Sequence, residues 1–229
     1  MNRVTGGISA GFHRVAWNLR YSSMSSAGGS GPFVVPGKYT ITAEKRIKDE
    51  VKPLGQSQTV KIVPMITPTL PIQDRDKVLQ FYTKAGKLQR AIRGASGKTD
   101  EVLTQLVEIK QVLKQSDKGT LQLLEEARKM ELELKDIREL LIGNTTKSRY
   151  DEPDRLSIMN RVNSAMNAMR STYGPTLTHR QDFEIAQEEF ESVLGQIKEL
   201  IEIDLVNLQK KLEAAGLPWT SGRPIPELK

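Results

Sequence analysis

The chain has no cysteine among its 229 residues, which removes disulfides, thiolate metal sites and cysteine nucleophiles from its chemistry. It has two histidines, His13 and His179. Neither stands at metal-ligand spacing from a second histidine, nor beside a serine and a carboxylate placed to form a triad. Aromatic residues make up only 5%. No stretch approaches the roughly 18 uninterrupted apolar residues of a membrane-spanning helix. The first residues, Met1 to Gly7, lack the apolar core of a signal peptide. Acidic residues are scarce at one end: residues 1–65 carry nine Lys/Arg against three Asp/Glu, whereas residues 66–229 carry 25 of each. Such basicity attracts anionic surfaces. No nucleic-acid-binding motif accompanies it, so neither nucleic acid nor membrane insertion is expected.

Two compositional regimes meet near residue 66. Before it, apolar residues alternate with polar ones. Val15, Trp17 and Leu19 share a face, as do Tyr39, Ile41 and Ala43, and then Val60 and Ile62. Period two with β-branched and aromatic residues predicts half-buried strands. A Ser/Gly-rich loop, Ser22 to Gly31, separates the first two. Pro36-Gly37 turns the chain into the second strand, and Asp49-Glu50 is a hairpin tip. Three or four strands fall short of the roughly seven of a sandwich, so residues 1–65 read as part of one. Pro64, Pro68 and Leu70-Pro71 stiffen a linker, residues 66–73.

Beyond the linker the period changes to three and four. Val78, Leu79, Tyr82, Ala85, Leu88, Ile92 and Ala95 lead into Leu103, Leu106, Ile109 and Leu113, predicting one helix over 74–115 unless Gly94 and Gly97 kink it. A second helix runs from Leu121 to Leu141 and is closed by Gly143. A third starts near Pro153, where Asp151, Glu152 and Asp154 suit a first turn. Thr178 with Gln181 forms a capping box for the fourth, whose stripe from Phe183 to Leu212 stops at Gly216-Leu217-Pro218. The second and third helices together match the first and fourth in length. Laid end to end and antiparallel, they form the broken middle layer of a bundle over 74–216; a four-helix up-down bundle is the alternative. Residues 217–229 form a tail. The fold class expected is α+β, mainly α.

Candidate chemistry is thin. Gly94-Ala95-Ser96-Gly97-Lys98-Thr99 resembles a phosphate loop, but Ile92 stands where a glycine is needed and the flanks are helical. Glu188-Glu189-Glu191 and Glu125-Glu126 are carboxylate pairs of the kind glycosidases use, but on helices they read as solvated faces. Met159, Met166 and Met169 fill core. Asn144-Thr145-Thr146 is a glycosylation sequon. No residue is assigned a catalytic, cofactor-binding or metal-binding role.

Residues 10–21, Ala-Gly-Phe-His-Arg-Val-Ala-Trp-Asn-Leu-Arg-Tyr, followed by Gly31-Pro32 and Pro36-Gly37-Lys38-Tyr39-Thr40, resemble the C-terminal Ig-like domain of bacterial exported β-propeller proteins. Those proteins carry Asp-box repeats, relate to sialidase and sortilin-type propellers, and are labelled glycosyl hydrolases. The similarity continues through Glu152-Pro153, Ser157-Ile158, Arg161-Val162, Pro175-Thr176, Glu184-Ile185-Ala186 and Pro218-Trp219. Asn18 stands where relatives more often carry Asp, and the Asp boxes themselves are absent. The resemblance implies a partial Ig-like domain followed by a helical bundle. It further implies a non-catalytic accessory region of a periplasmic or extracellular parent, whose upstream propeller and missing strands would be its partners. The rival expectations are a free-standing helical interaction module, partnered by another protein, and a hydrolase acting on glycosides.

Overall fold

The computed structural model describes residues 3–23, 30–65, 74–150, 152–170 and 173–225. Most of the Ser/Gly-rich loop (24–29) and the whole linker (66–73) lie outside the described residues. The chain is α+β, mainly α. It divides into two units, residues 1–84 with 169–175 and residues 85–168 with 176–229, the boundary falling inside the first long helix.

In the first unit, β1 (Gly37–Ile41) pairs with β4 (Gln58–Ile62) and β2 (Glu44–Ile47) with β3 (Glu50–Pro53), both antiparallel. The second pair is nested inside the first, so two two-stranded sheets follow one another along a single hairpin. Between them, residues 42–43 on the outgoing strand stand against 54–57 on the return, and the Leu54 N–H donates to the Ala43 carbonyl at 2.7 Å across the break. Lys48-Asp49 is the tip, one residue before the expected turn, with Lys48 at φ +54°. Positive φ is what a two-residue hairpin loop demands. Tyr39 faces Val60 across the ladder, and Ile41 and Ile62 fall on the same side as period two requires. The pairs Lys38–Lys61 and Lys45–Lys52 also face each other. Like charges so opposed are destabilising.

Val15, Trp17 and Leu19 do not form the expected strand. Leu19 takes a left-handed φ of +57°, which breaks the pleat, and Val15 and Leu19 stay exposed. What remains of the pairing is a bridge between Arg20 and Phe33, with Tyr21 N–H donating to Pro32 O and Val34 N–H to Leu19 O, each at 2.9 Å. The Arg20 guanidinium lies 3.6 Å from the centre of the Phe33 ring, an exposed cation–π contact. Trp17 is half-buried rather than a sandwich core. Its ring meets Tyr39 edge-on at 5.6 Å, and its indole N–H donates to Arg20 O at 2.9 Å. The Tyr39 hydroxyl donates to Val35 O at 2.5 Å, and burial, aided by Tyr21, pushes its pKa up to about 12.

The second unit is helical. α1 (Arg75–Gln115) runs unbroken through Gly94 and Gly97. α2 (Leu121–Ile142) is capped by Thr120, whose side chain accepts from Leu123 N–H, and ends at Gly143 with φ +87°. The short α3 (Thr145–Arg149) follows. α4 (Ile158–Asn167) begins five residues after Pro153, with Ser157 as its cap, because Asp154 is engaged elsewhere: it accepts from Asn144 N–H, Lys147 and its neighbour Arg155 N–H. α5 (Leu177–Lys198) is capped by Thr176 and His179, not by Thr178 and Gln181. The Thr176 oxygen accepts from His179 N–H, and His179 Nδ1 accepts from Thr176 N–H at 3.1 Å, so a histidine fills the place usually held by glutamate. A six-residue π segment (Glu199–Asp204) joins α5 to α6 (Leu205–Ala214) without a break.

Polar contacts give the order of packing. Lys110 reaches Glu131 and Arg138 reaches Asp100 between α1 and α2, and Gln89 reaches Asn163 between α1 and α4. On the other side Lys211 pairs with Glu126, and Asp182 accepts from Ser164 and pairs with Arg161. α2 and α4 thus lie in succession, antiparallel both to α1 and to the α5–α6 rod. One core joins them, centred on Ile92, Leu106, Leu134, Leu141, Val162, Phe190 and Leu208.

Candidate functional site

Two features of the structure offer chemistry: a groove in the helical unit and the open hairpin of the first unit. The groove holds about 550 Å³ between the end of α2, residues 154–158 and α5. Carboxylates line it, Asp136, Glu139, Asp154 and Glu189, with Arg155 among them and Leu140, Leu156 and Val193 as apolar wall. Glu139, Asp154 and Glu189 each have a cation in place, whereas no ion pair among the described residues holds Asp136. Lys147 reaches Glu139 at 3.5 Å and Asp154 at 3.3 Å; Arg155 and Arg161 both reach Glu189. Burial works to raise the Asp154 pKa, yet hydrogen bonds from Arg155 N–H, Lys147 and Asn144 N–H outweigh it and hold the carboxyl below its usual range. Lys147 is raised in return, first by its bond to Asp154. Glycoside hydrolysis needs one carboxylic acid kept protonated near neutrality. Asp154 goes the other way, since its hydrogen bonds favour the charged form.

The other sequence candidates are placed plainly. Gly94 to Thr99 lie in the interior of α1, where their N–H groups belong to the helix ladder; Thr99 is fully buried and its hydroxyl donates to Ala95 O. His13 is exposed, its Nε2 2.6 Å from Ser9 O. His179 is a helix cap. Glu126 is held by Lys211 and Glu189 by Arg155, whereas Glu125, Glu188 and Glu191 face solvent. Met159 and Met166 pack against the core, and Asn144 caps α3. Among the described residues no group of three or more His, Asp or Glu could hold a metal ion. No helix among them is long and apolar enough to cross a membrane.

Two polar sites escape the sequence reading. Glu131, nine-tenths buried, takes Lys110 on one oxygen and Lys135 on the other at 2.9 Å. The hydrogen bond from Lys110, then that from Lys135, lowers its pKa against the opposing effect of burial. The second is a clasp after α6. Gly216, at φ +63°, ends the helix with Gly216 N–H bonded to Glu213 O and Leu217 N–H to Leu212 O, a Schellman pair. Beyond it Ser221 donates twice to Glu108, from its N–H at 3.0 Å and its hydroxyl at 2.6 Å, and these bonds lower the Glu108 pKa. The buried Arg223 donates to Leu217 O and Pro218 O and pairs with Glu213. The sequence signal was the run of turn formers from Gly216 to Pro224; the partners across the fold gave none.

No model of a known protein family, no curated protein and no solved structure matches the chain.

Proposed function

We propose that the chain is a non-catalytic accessory region, structural or docking in role, whose β segment is completed by strands from a larger exported propeller-type, glycosyl-hydrolase-like polypeptide. The observation that carries this reading is the state of the hairpin. Ile41, Ile47, Val51 and Leu54 remain 49 to 54% exposed, and each of the four strands is paired on one edge only among the described residues. A two-stranded hairpin with bare apolar side chains, Ile47 and Val51 on opposite faces, is marginal alone, and open edges accept a further strand through backbone hydrogen bonds. Trp17 set edge-on against Tyr39 supplies a rigid corner against which such a strand would align. The periplasmic or extracellular setting belongs to the same proposal.

Hydrogen exchange compared between this chain and the product of the complete open reading frame tests it. Amides of β1 and β4 exchange fast in the chain and become protected in the longer protein. Equal exchange in both, or an open reading frame with no further β domain, would refute the reading.

A further inference from the structure

The interior of α1 contains two glycines that the fold does not explain. Gly94 and Gly97 are exposed, and a Cβ added at either would meet nothing within 4 Å. Neither has the positive φ that favours glycine. Each is a poorer helix former than alanine at the same place, so packing within the chain gives no reason for them. They share an exposed helix face with Lys87, Arg90, Ala91 and Lys98, residues spaced by three and four. Between Ala85 and Thr99 the chain has four Lys/Arg and no Asp or Glu.

α5 repeats the pattern with the opposite sign. Gly195 is exposed in the helix interior, again with nothing within 4 Å of an added Cβ. Glu184, Glu188, Glu191 and Glu199 lie on its face, all exposed, and from Glu184 to Asp204 there are seven acidic residues against the single cation Lys198. Among the described residues, no ion pair holds Lys87, Arg90, Glu184, Glu188 or Glu199. Lys98 is tied only to its neighbour Glu101. Both faces belong to the helical unit.

We propose that these faces are the two halves of a self-association surface, the basic face of α1 in one copy docking on the acidic face of α5 in a second copy. Small residues at the centre let two helix backbones approach closely, and the flanking charges of opposite sign select orientation and partner. A polyanion such as nucleic acid would use the cations but has no need of a bare helix backbone, and no aromatic side chain lies on the α1 face to stack on bases. Each face points away from the core on its own helix, so two neighbouring copies make the contact once, head to tail. The proposal concerns the helical unit alone and stands apart from the reading of the hairpin.

Sedimentation of the full chain from about 1 µM to about 500 µM tests it over the affinity range of modest dimers. Wild type should self-associate as concentration rises, less so at high salt. The double reversals Lys87→Glu/Arg90→Glu and Glu188→Lys/Glu191→Lys should each stay monomeric, helix content being checked by circular dichroism. Mixed together they should associate, because every contact between the two variants then pairs opposite charges. Should a reversal fail to fold, Gly94→Gln with Gly195→Gln decides: it should raise the melting temperature while weakening association roughly tenfold or more. A monomeric wild type, reversal variants that self-associate as wild type does, a mixture that stays monomeric, or unchanged association of the glycine pair variant would each overturn the proposal.

Discussion

Glu131 occupies a buried position on α2, on the same face as Leu134 and Ala127, where the stripe calls for an apolar side chain. The two lysines are what make it tolerable. Lys110 lies across the seam on α1 and Lys135 one turn along the same helix, so the carboxylate is charged from both sides. Removing one member of such a cluster leaves the others desolvated and unpaired. Glu131→Gln should therefore cost about 1–3 kcal/mol in urea unfolding at neutral pH. The folded pKa lies below the unfolded one. Its stabilisation is thus complete above the ordinary glutamate range and is lost as the pH falls through the folded value. Wild type should weaken over that acid interval more steeply than the glutamine variant. Parallel acid limbs would mean that Glu131 contributes nothing to the pH dependence.

The α5–α6 rod shows how an element absorbs an irregular sequence. Its buried positions, Ala186, Phe190, Val193, Ile197 and Leu200, advance by threes and fours, and then the step to Leu205 is five before Leu208 and Leu212 resume. A uniform α-helix would carry Leu205 and its successors away from the core. The π segment takes up the extra residue, Leu205 N–H bonding to Leu200 O, so the apolar stripe stays on one side. Deleting the exposed Ile203 should restore an ordinary ladder and leave the melting temperature nearly unchanged. Deleting the exposed Ser192 instead shortens the step from Phe190 to Val193 to two, turns the following stripe outward, and should cost more than about 2 kcal/mol. Equal effects of the two deletions would contradict this account of the π segment. The irregular step was present in the sequence, as was the Thr176-x-x-His179 cap. Neither stands out locally, since Thr178 with Gln181 matches the common capping box better and the stripe from Phe183 to Leu212 has apolar residues enough for a regular helix.

At the scale of the whole molecule, stability is unevenly distributed. The helical unit has a continuous core from Ile92 to Leu217, whereas every residue of β2 and β3 is exposed. Local opening follows the density of buried apolar contacts. Hydrogen exchange on the chain alone should therefore show amides of 44–53 exchanging far faster than those of Val102 to Leu113 in α1 and of Leu123 to Leu141 in α2. Comparable protection in both would show that the hairpin is already covered, and the need for a completing strand would vanish. Groove and clasp also belong to this scale, since their partners, Arg155 with Glu189 and Ser221 with Glu108, come together only when the helices do.

Periodicity alone determined that strands precede helices and that one apolar stripe spans α1, but left open whether Gly94 and Gly97 kink it, which the structure decides. Side-chain alternation and helical spacing are local properties that burial selects directly. Periodicity alone did not decide whether Val15, Trp17 and Leu19 make a strand, because a strand needs a ladder of pairs, and with Leu19 left-handed only the bridge between Arg20 and Phe33 forms. Nor did it reveal that Glu139, Asp154 and Glu189 of the groove pair with Lys147, Arg155 and Arg161. Whether a carboxylate is an acid catalyst or half of an ion pair depends on which distant cation the fold brings within reach, and tertiary packing alone decides that.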